Sequence, residues 1–268
     1  MACRFVVSRA VLRVAPVAVL TAPYVDYYID PRVSIENQMV AIKLTYFDVR
    51  PAHALSQAST VTSVLSLPQV RGRAEPIRLA MVVGNIPFED NRLSFPDFGQ
   101  LKAQGKITPP GCCGTHNVPV MEVDGTPLTQ SLAMFVFVGK LAKLYPDEPF
   151  AAAKVDEAIQ YIGGDIGDGL IGPTLFMPEE EKAKARAKLS TETLPPKLKV
   201  LDDILATSES GFLVGDSLTI ADLHLFYTSM WIGTLDGIPA EVLGAFPHIN
   251  KHAAKVGEFP AIKERYGK

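Results

Sequence analysis

"TYFDVRPAHALSQASTVTSVLSLPQVRGRAEPIRLA" (Thr45–Ala80) decides how the chain folds, because its two ends belong together while its middle belongs to neither. The front continues Lys43-Leu44 and reads as a short strand, with Ile42, Leu44 and Phe47 as its apolar run. The back opens on a Gly-Arg turn at Gly72 and reads as a helix, "GRAEPIRLAMVVGN". Pro76 stands near its start and Gly84 near its end, the usual asymmetry of a helix, with Ile77, Ala80 and Met81 on the inner face. The middle, from Arg50 to Val70, is rich in Ser, Ala and Val and shows neither helical period nor sustained alternation. Val-Arg occurs at both of its borders, Val49-Arg50 and Val70-Arg71, so excision in either register rejoins strand to helix. A structureless loop of this length is uncommon inside a compact domain, although closure entropy grows slowly enough to tolerate it. The stretch 50–70 reads as an inserted loop.

Outward from this stretch the elements run β-α-β-α-β-β-α. Phe88–Leu93 is a second strand and "FPDFGQLKAQG" a short helix or turn. Val118–Val123, the Asp124-Gly125 turn and Pro127-Leu128 form a hairpin. "SLAMFVFVGKLAKLYP" is a strongly apolar helix, and "PDEPF" a linker. Beyond it only helices follow. Val155, Ala158, Ile159, Ile162 and Ile166 recur at helical spacing, as do Leu194, Leu198, Leu201 and Leu205, where Pro195-Pro196 is expected to bend or break the helix. Thr219 with Asp222 forms a capping box, after which Ile220, Leu223, Tyr227 and Met230 face one way. Two final helices each begin at Phe-Pro. The expected architecture is an α/β domain over 39–146 followed by an all-helical domain over 150–268.

Composition narrows the function. The 268 residues carry a net charge of -3 with 47% apolar residues, which gives no basic face for nucleic acid. Three cysteines, two of them adjacent (Cys112 and Cys113), make a poor disulfide framework and suit a reducing compartment. No apolar run approaches a membrane span. Residues 1–38 hold Arg4, Arg9 and Arg13 and no acid before Asp26. They read as a non-structural extension ahead of Met39, with a mitochondrial presequence or weak secretory signal as the alternative.

The pieces "KLTYFDV", "RGRAEPIRLA", "IPFED", "VPVMEVDG", "QSLA", "FLVGDSLTIADL" and "FPAIK" occur in an order that resembles the cytosolic glutathione S-transferases. The likeness is to the sigma class, which includes glutathione-dependent prostaglandin D synthases. The resemblance implies a thioredoxin-like domain followed by an all-helical one, glutathione as co-substrate, a small hydrophobic electrophile as partner, a homodimer, and a cytoplasmic location, with no metal and no nucleic acid. It implies that Tyr46, at the end of the first strand, is the catalytic hydroxyl that stabilises the thiolate. Arg73 lies beside it. Val118-Pro119 matches a cis-proline corner whose backbone pairs with the tripeptide. Gln130-Ser131 would take the γ-glutamyl end at a helix start, and Lys102 the glycine carboxylate.

Departures from the family pattern are local. Phe98 stands where a Trp is expected and lacks an indole N–H, a loss of ~1 kcal/mol. Asn117 replaces a longer Gln or Lys. The loop "KITPPGCCGTHN" is longer than usual, and its Cys112, Cys113 and His116 make an incomplete zinc set, so they read as loop residues. Gly163-Gly164 falls where an acid points across the dimer, with Asp165 one residue off; His224 reads as packed or on the surface. Conjugation is the leading reaction; glutathione-dependent isomerisation and a non-catalytic structural or carrier role are the alternatives.

Overall fold

The computed structural model describes residues 40–47, 72–114 and 116–266. The stretch 50–70 and the extension 1–38 lie outside the described residues.

Strand β1 (Ile42–Phe47) is central in a four-stranded sheet of order β2-β1-β3-β4, with β2 Phe88–Leu93, β3 Val120–Val123 and β4 Thr126–Leu128. It pairs parallel to β2, placing Tyr46 opposite Arg92, and antiparallel to β3, placing Thr45 opposite Val120. The two-residue period puts Ile42, Leu44 and Tyr46 into the core. Phe47, grouped in the sequence with Ile42 and Leu44, therefore faces the other way, where its ring stacks on Phe95 at 4.8 Å and meets the edge of Phe98 at 4.7 Å. Asp124 and Gly125 both take positive φ, +49° and +78°, which closes the β3–β4 hairpin.

Helix α1 (Glu75–Val83) packs against α3 (Ser131–Leu141); α2 (Phe95–Ala103) follows β2 and is capped by the Ser94 hydroxyl accepting the Asp97 N–H at 3.2 Å. From α4 (Pro149–Gln160) onward the described elements are all helical: α5 (Glu179–Lys188), α6 (Leu194–Thr207), α7 (Ile220–Ile232), the short α8 (Glu241–Gly244), α9 (Pro247–Gly257) and α10 (Pro260–Tyr266). The fold is thus a small mixed sheet with helices followed by a helical domain. Among the described residues no helix is long and apolar enough to cross a membrane.

Two wide-turn segments depart from simple helical reading. The chain leaves α4 directly into a π-helix, Tyr161–Ile171. There Gly163 presses on α7: a Cβ at that position would lie 2.8 Å from His224 Cε1. The second π segment, Leu189–Thr193, joins α5 to α6. It places Pro195-Pro196 in the first turn of α6, where their missing N–H groups cost no intrahelical bond, so the helix runs on unbroken. The capping box closes on Asp222, whose carboxylate accepts the Thr219 N–H at 2.8 Å and its hydroxyl at 2.9 Å, and also the Leu213 N–H at 2.8 Å. His252 Nε2 lies 3.0 Å from the same fully buried carboxylate. His224, packed edge-on against Phe135, is buried without a partner for Nδ1, and burial lowers its pKa to about 4.

Candidate active site

Tyr46 is 7% exposed, near the C-terminal end of β1, and its hydroxyl accepts the backbone N–H of Arg73 at 3.3 Å. That N–H belongs to the 3-10 turn Gly72–Ala74 leading into α1, one of the orphan donors at a helix start. Gly72 has φ +53°, and a Cβ there would lie 2.1 Å from the Tyr46 hydroxyl oxygen, so only glycine lets the turn approach the phenol. Burial raises the Tyr46 pKa, opposed by the Arg73 N–H and by the charges of Arg73 and Arg78. The phenol therefore stays protonated through neutral pH. With one lone pair on Arg73 N–H, its proton is left to donate.

The charges around Tyr46 are tightly arranged. Arg78, 2% exposed, has its guanidinium carbon 5.8 Å from the Tyr46 ring centre. It donates to Asp90 through Nε and Nη2 at 3.0 and 2.9 Å, and to Glu75 Oε2 at 3.4 Å. Glu75 Oε1 in turn accepts from Arg265 Nε at 2.9 Å and the Tyr266 hydroxyl at 2.7 Å, which anchors α10 to the first turn of α1. The Arg73 guanidinium points the other way and meets Asp168 of the π-helix.

The remaining expected anchors form two groups. Phe98, Lys102 and Asn117 come together: Lys102 Nζ lies 5.5 Å from the Phe98 ring centre and donates to Asn117 Oδ1 at 3.2 Å. Asn117 leads into the Val118–Pro119 peptide, which is cis, immediately before β3. Gln130 has φ +71° and precedes Ser131, the first residue of α3. The Gln130 side chain makes no cap to that helix, whose first-turn N–H groups have no partner within the helix. The Gln130 amide donates to the Cys113 carbonyl at 2.8 Å, which brings the long loop onto this anchor. Cys113 is exposed, and Cys112 Sγ donates to the Pro127 carbonyl at 3.9 Å; both thiols are free.

Two features of the site, Asp168 and the close approach of Gly72, escaped the sequence reading. Asp168 lies in "YIGGDIGDGLI", where π-helical turns defeat the 3.6-residue spacing. Asp165, the residue considered for a cross-subunit role, accepts Lys197 Nζ at 2.8 Å. The Gly72 approach was foreshadowed only by the Gly-Arg turn. Tyr227 reads as one more inner-face residue of α7, and burial followed by the Glu75 charge raises its pKa.

Comparison with known proteins follows the same outline. Residues 166–266 match the family model for the glutathione S-transferase C-terminal domain. Human glutathione S-transferase A2 is 25% identical over 201 residues, 75% of this chain and 86% of that protein. The class-mu 28 kDa isozyme of Schistosoma japonicum is 28% identical over 190 residues, 68% of this chain and 85% of its own. Among solved structures, prostaglandin synthase D of Nilaparvata lugens is 26% identical, covering 85% of this chain and 98% of its own, with a TM-score of 0.66. A monomeric glutathione S-transferase from the hookworm Necator americanus is 30% identical, covering 84% of this chain and 95% of its own, with a TM-score of 0.61. With that identity across nearly the whole hookworm protein, and a sheet domain followed by helices, the chain belongs to the glutathione S-transferase family.

Proposed function

We propose that the chain conjugates glutathione to small hydrophobic electrophiles through a thiolate held by Tyr46. The observation that carries this reading is the Tyr46 hydroxyl seated on the Arg73 N–H at the start of α1. A free Cys thiol titrates near ~8.5, so a thiolate at neutral pH needs about 2.7 kcal/mol of differential stabilisation. A protonated phenol donating to sulfur beside a helix N-terminus supplies a stabilisation of that size. The sulfur then attacks an electrophilic carbon, forming the C–S bond as the leaving group departs with the bonding pair, or as a conjugated acceptor takes up a proton.

The other roles follow the geometry. The Val118 backbone pairs with the extended tripeptide. Lys102, turned by Asn117, meets the glycine carboxylate, and Phe98 supplies an apolar wall. The open N–H groups at Ser131 and the Gln130 amide, released from Cys113, take the γ-glutamyl carboxylate. Arg73, held by Asp168, places positive charge at the mouth of the site. The reading includes the division at 39–146 and 150–268, a cytoplasmic location, and a two-fold dimer that buries α3 against the partner's helical domain. Sedimentation at micromolar concentration decides the last point: a monomer refutes the dimer.

Isomerisation with glutathione as cofactor is the second reading, favoured by the likeness to the Nilaparvata lugens prostaglandin synthase. It uses the same thiolate but regenerates glutathione. Assays with an aryl halide and with a prostaglandin endoperoxide separate the two. Turnover of the halide with glutathione consumed supports conjugation; turnover of the endoperoxide alone, without net loss of glutathione, supports isomerisation. Inactivity toward both overturns the enzyme reading in favour of a carrier. The same assays apply to a chain with Val49 joined directly to Arg71. Preserved or raised activity supports the stretch 50–70 as a passenger, and loss of both folding and activity refutes it.

A further inference from the structure

The loop between α2 and β3 touches the anchors proposed for both ends of glutathione. Near its close, Asn117 Oδ1 accepts Lys102 Nζ at 3.2 Å. In its middle, the Cys113 carbonyl accepts the Gln130 amide at 2.8 Å. Cys113 is exposed, and its thiol is free. Its carbonyl and its thiol branch from one Cα, so a group joined to the sulfur is delivered beside Gln130. An extended tripeptide spans about 10 Å, enough to lay a γ-glutamyl end on that amide.

A second feature of the same turn points to a missing polar group. Thr108 is 7% exposed, and among the described residues its Oγ1 has no hydrogen-bond partner. It lies against Gly114, the residue after Cys113: a Cβ there would stand 2.7 Å from Thr108 Oγ1. A buried hydroxyl left unpaired costs ~1–3 kcal/mol, and a peptide group carried on the Cys113 sulfur would relieve it. The neighbouring thiol is turned elsewhere, with Cys112 Sγ 3.9 Å from the Pro127 carbonyl oxygen. Adjacent Cα atoms stand only ~3.8 Å apart, short of the ~4.4–6.8 Å of ordinary disulfides. Cys112 is therefore poorly placed to resolve a disulfide formed at Cys113.

We propose that Cys113 is a modification site for glutathione disulfide, and that the mixed disulfide it forms closes the glutathione site. The Cys113 thiolate attacks one sulfur of the disulfide. That S–S bond breaks, a Cys113–glutathione S–S bond forms, and the other glutathione leaves as a thiolate, which takes up the proton that Cys113 gave away. The tethered tripeptide displaces the Cys113 carbonyl from Gln130 and sets its own γ-glutamyl end there, while its backbone gives the Thr108 hydroxyl a partner. Free glutathione then competes with a tethered copy whose effective concentration is in the millimolar range. Reduced glutathione reverses the exchange, so the site is open when the thiol pool is reduced and closed when it is oxidised. This rests on the γ-glutamyl role of Gln130.

The test equilibrates the full chain in buffers of set glutathione disulfide to glutathione ratio, with total glutathione well below KM, and quenches with acid. Fragmentation of the tryptic peptide 107–140 reads the adduct at Cys113 apart from Cys112. A thiol with no site around it exchanges with an equilibrium constant of ~1. The constant expected at Cys113 is about ten-fold higher, and it falls back toward ~1 in Gln130→Ala and in Thr108→Val. Modified protein, freed of excess disulfide and assayed by initial rates with 1-chloro-2,4-dinitrobenzene, has a KM for glutathione raised about ten-fold. Its kcat stays within about two-fold, and dithiothreitol restores the KM. Each variant is compared with its own reduced form: Cys113→Ser loses the response and Cys112→Ser keeps it. An equilibrium constant near that of a free thiol, the same constant in parent and Gln130→Ala, an adduct confined to Cys112, loss of two hydrogens without a glutathionyl group, or an unmoved KM overturns the proposal. Should Cys113→Ser not fold, the adduct map and KM of the parent decide alone. If the reduced parent neither binds nor consumes glutathione, the proposed function itself falls, a result read before any disulfide is added.

Discussion

Arg73 reaches across the chain to Asp168: Nε and Nη2 both donate to Oδ1, at 3.0 and 2.6 Å. The peptide N–H of the same residue sits on Tyr46, so one residue joins the candidate nucleophile site to the π-helix of the helical domain. Both side chains of the ion pair are more than half exposed, at 57% and 55%, which sets a low ceiling on its contribution to stability.

Asp168→Asn therefore shifts unfolding by less than ~1 kcal/mol. Its effect is on the site: freed from its carboxylate, Arg73 samples other positions, and kcat/KM falls by about two- to five-fold, more at low salt than at high salt because the Debye length shortens to ~3 Å at 1 M. Steady-state kinetics across ionic strength, with a denaturant melt alongside, check this. A large loss of stability would contradict it.

Glu75 gives the opposite pattern. It is 1% exposed and holds Arg78, Arg265 and Tyr266. Glu75→Ala removes one of the two carboxylates on buried Arg78 and the carboxylate that holds Arg265 and Tyr266, at a cost of about 3 kcal/mol. At roughly 2–4 °C per kcal/mol for a chain of this size, the melting temperature falls by about 10 °C. Calorimetry measures it, and a shift under ~2 °C would show that the network relaxes without loss.

Gly72→Ala acts on the site by a steric route. The added methyl would overlap the Tyr46 hydroxyl, at 2.1 Å, and the residue would sit at φ +53°. The turn or the phenol must move, and a displacement of ~1 Å at a catalytic group costs about a hundred-fold in rate. Glutathione affinity by calorimetry should change far less than kcat. Wild-type turnover in this variant would show that the approach of Gly72 to Tyr46 has no catalytic consequence.

His224 makes stability acid-sensitive. Burial lowers its pKa from 6.5 to about 4, so the unfolded chain binds the proton first as pH falls. The stability tied to the neutral imidazole is complete above pH 6.5 and is lost as pH drops toward about 4, up to about 3 kcal/mol. Urea unfolding at pH 7 and pH 4.5, with His224→Leu as reference, measures it. The parent should lose more stability on acidification than the variant, and equal losses would contradict the assignment.

Much of this arrangement was legible in the sequence because local rules carry it. The strand before Tyr46, the Gly-Arg turn, the Asp124-Gly125 hairpin, the capping box at Thr219 and the two Phe-Pro helix starts each follow from residues within a few positions. What stayed hidden depends on tertiary approach. Phe47 leaves the core face because the strand period, not its hydrophobicity, sets its side. Asp168 reaches Arg73 because a π-helix rotates the chain beyond ordinary helical spacing. Pro195-Pro196 does no damage because the preceding π segment makes them a helix start. Gln130 meets the Cys113 carbonyl through a contact that no local pattern announces.

The central claim is that Tyr46 stabilises a thiolate. The ultraviolet absorbance of the thiolate of bound glutathione, titrated against pH in the parent and in Tyr46→Phe at saturating glutathione, tests it without a second substrate. The account predicts that the bound thiol in the parent titrates about two units below the ~8.5 of a free thiol, and that in Tyr46→Phe it returns most of the way to that value while glutathione still binds. Superimposable titration curves for the two proteins would contradict it.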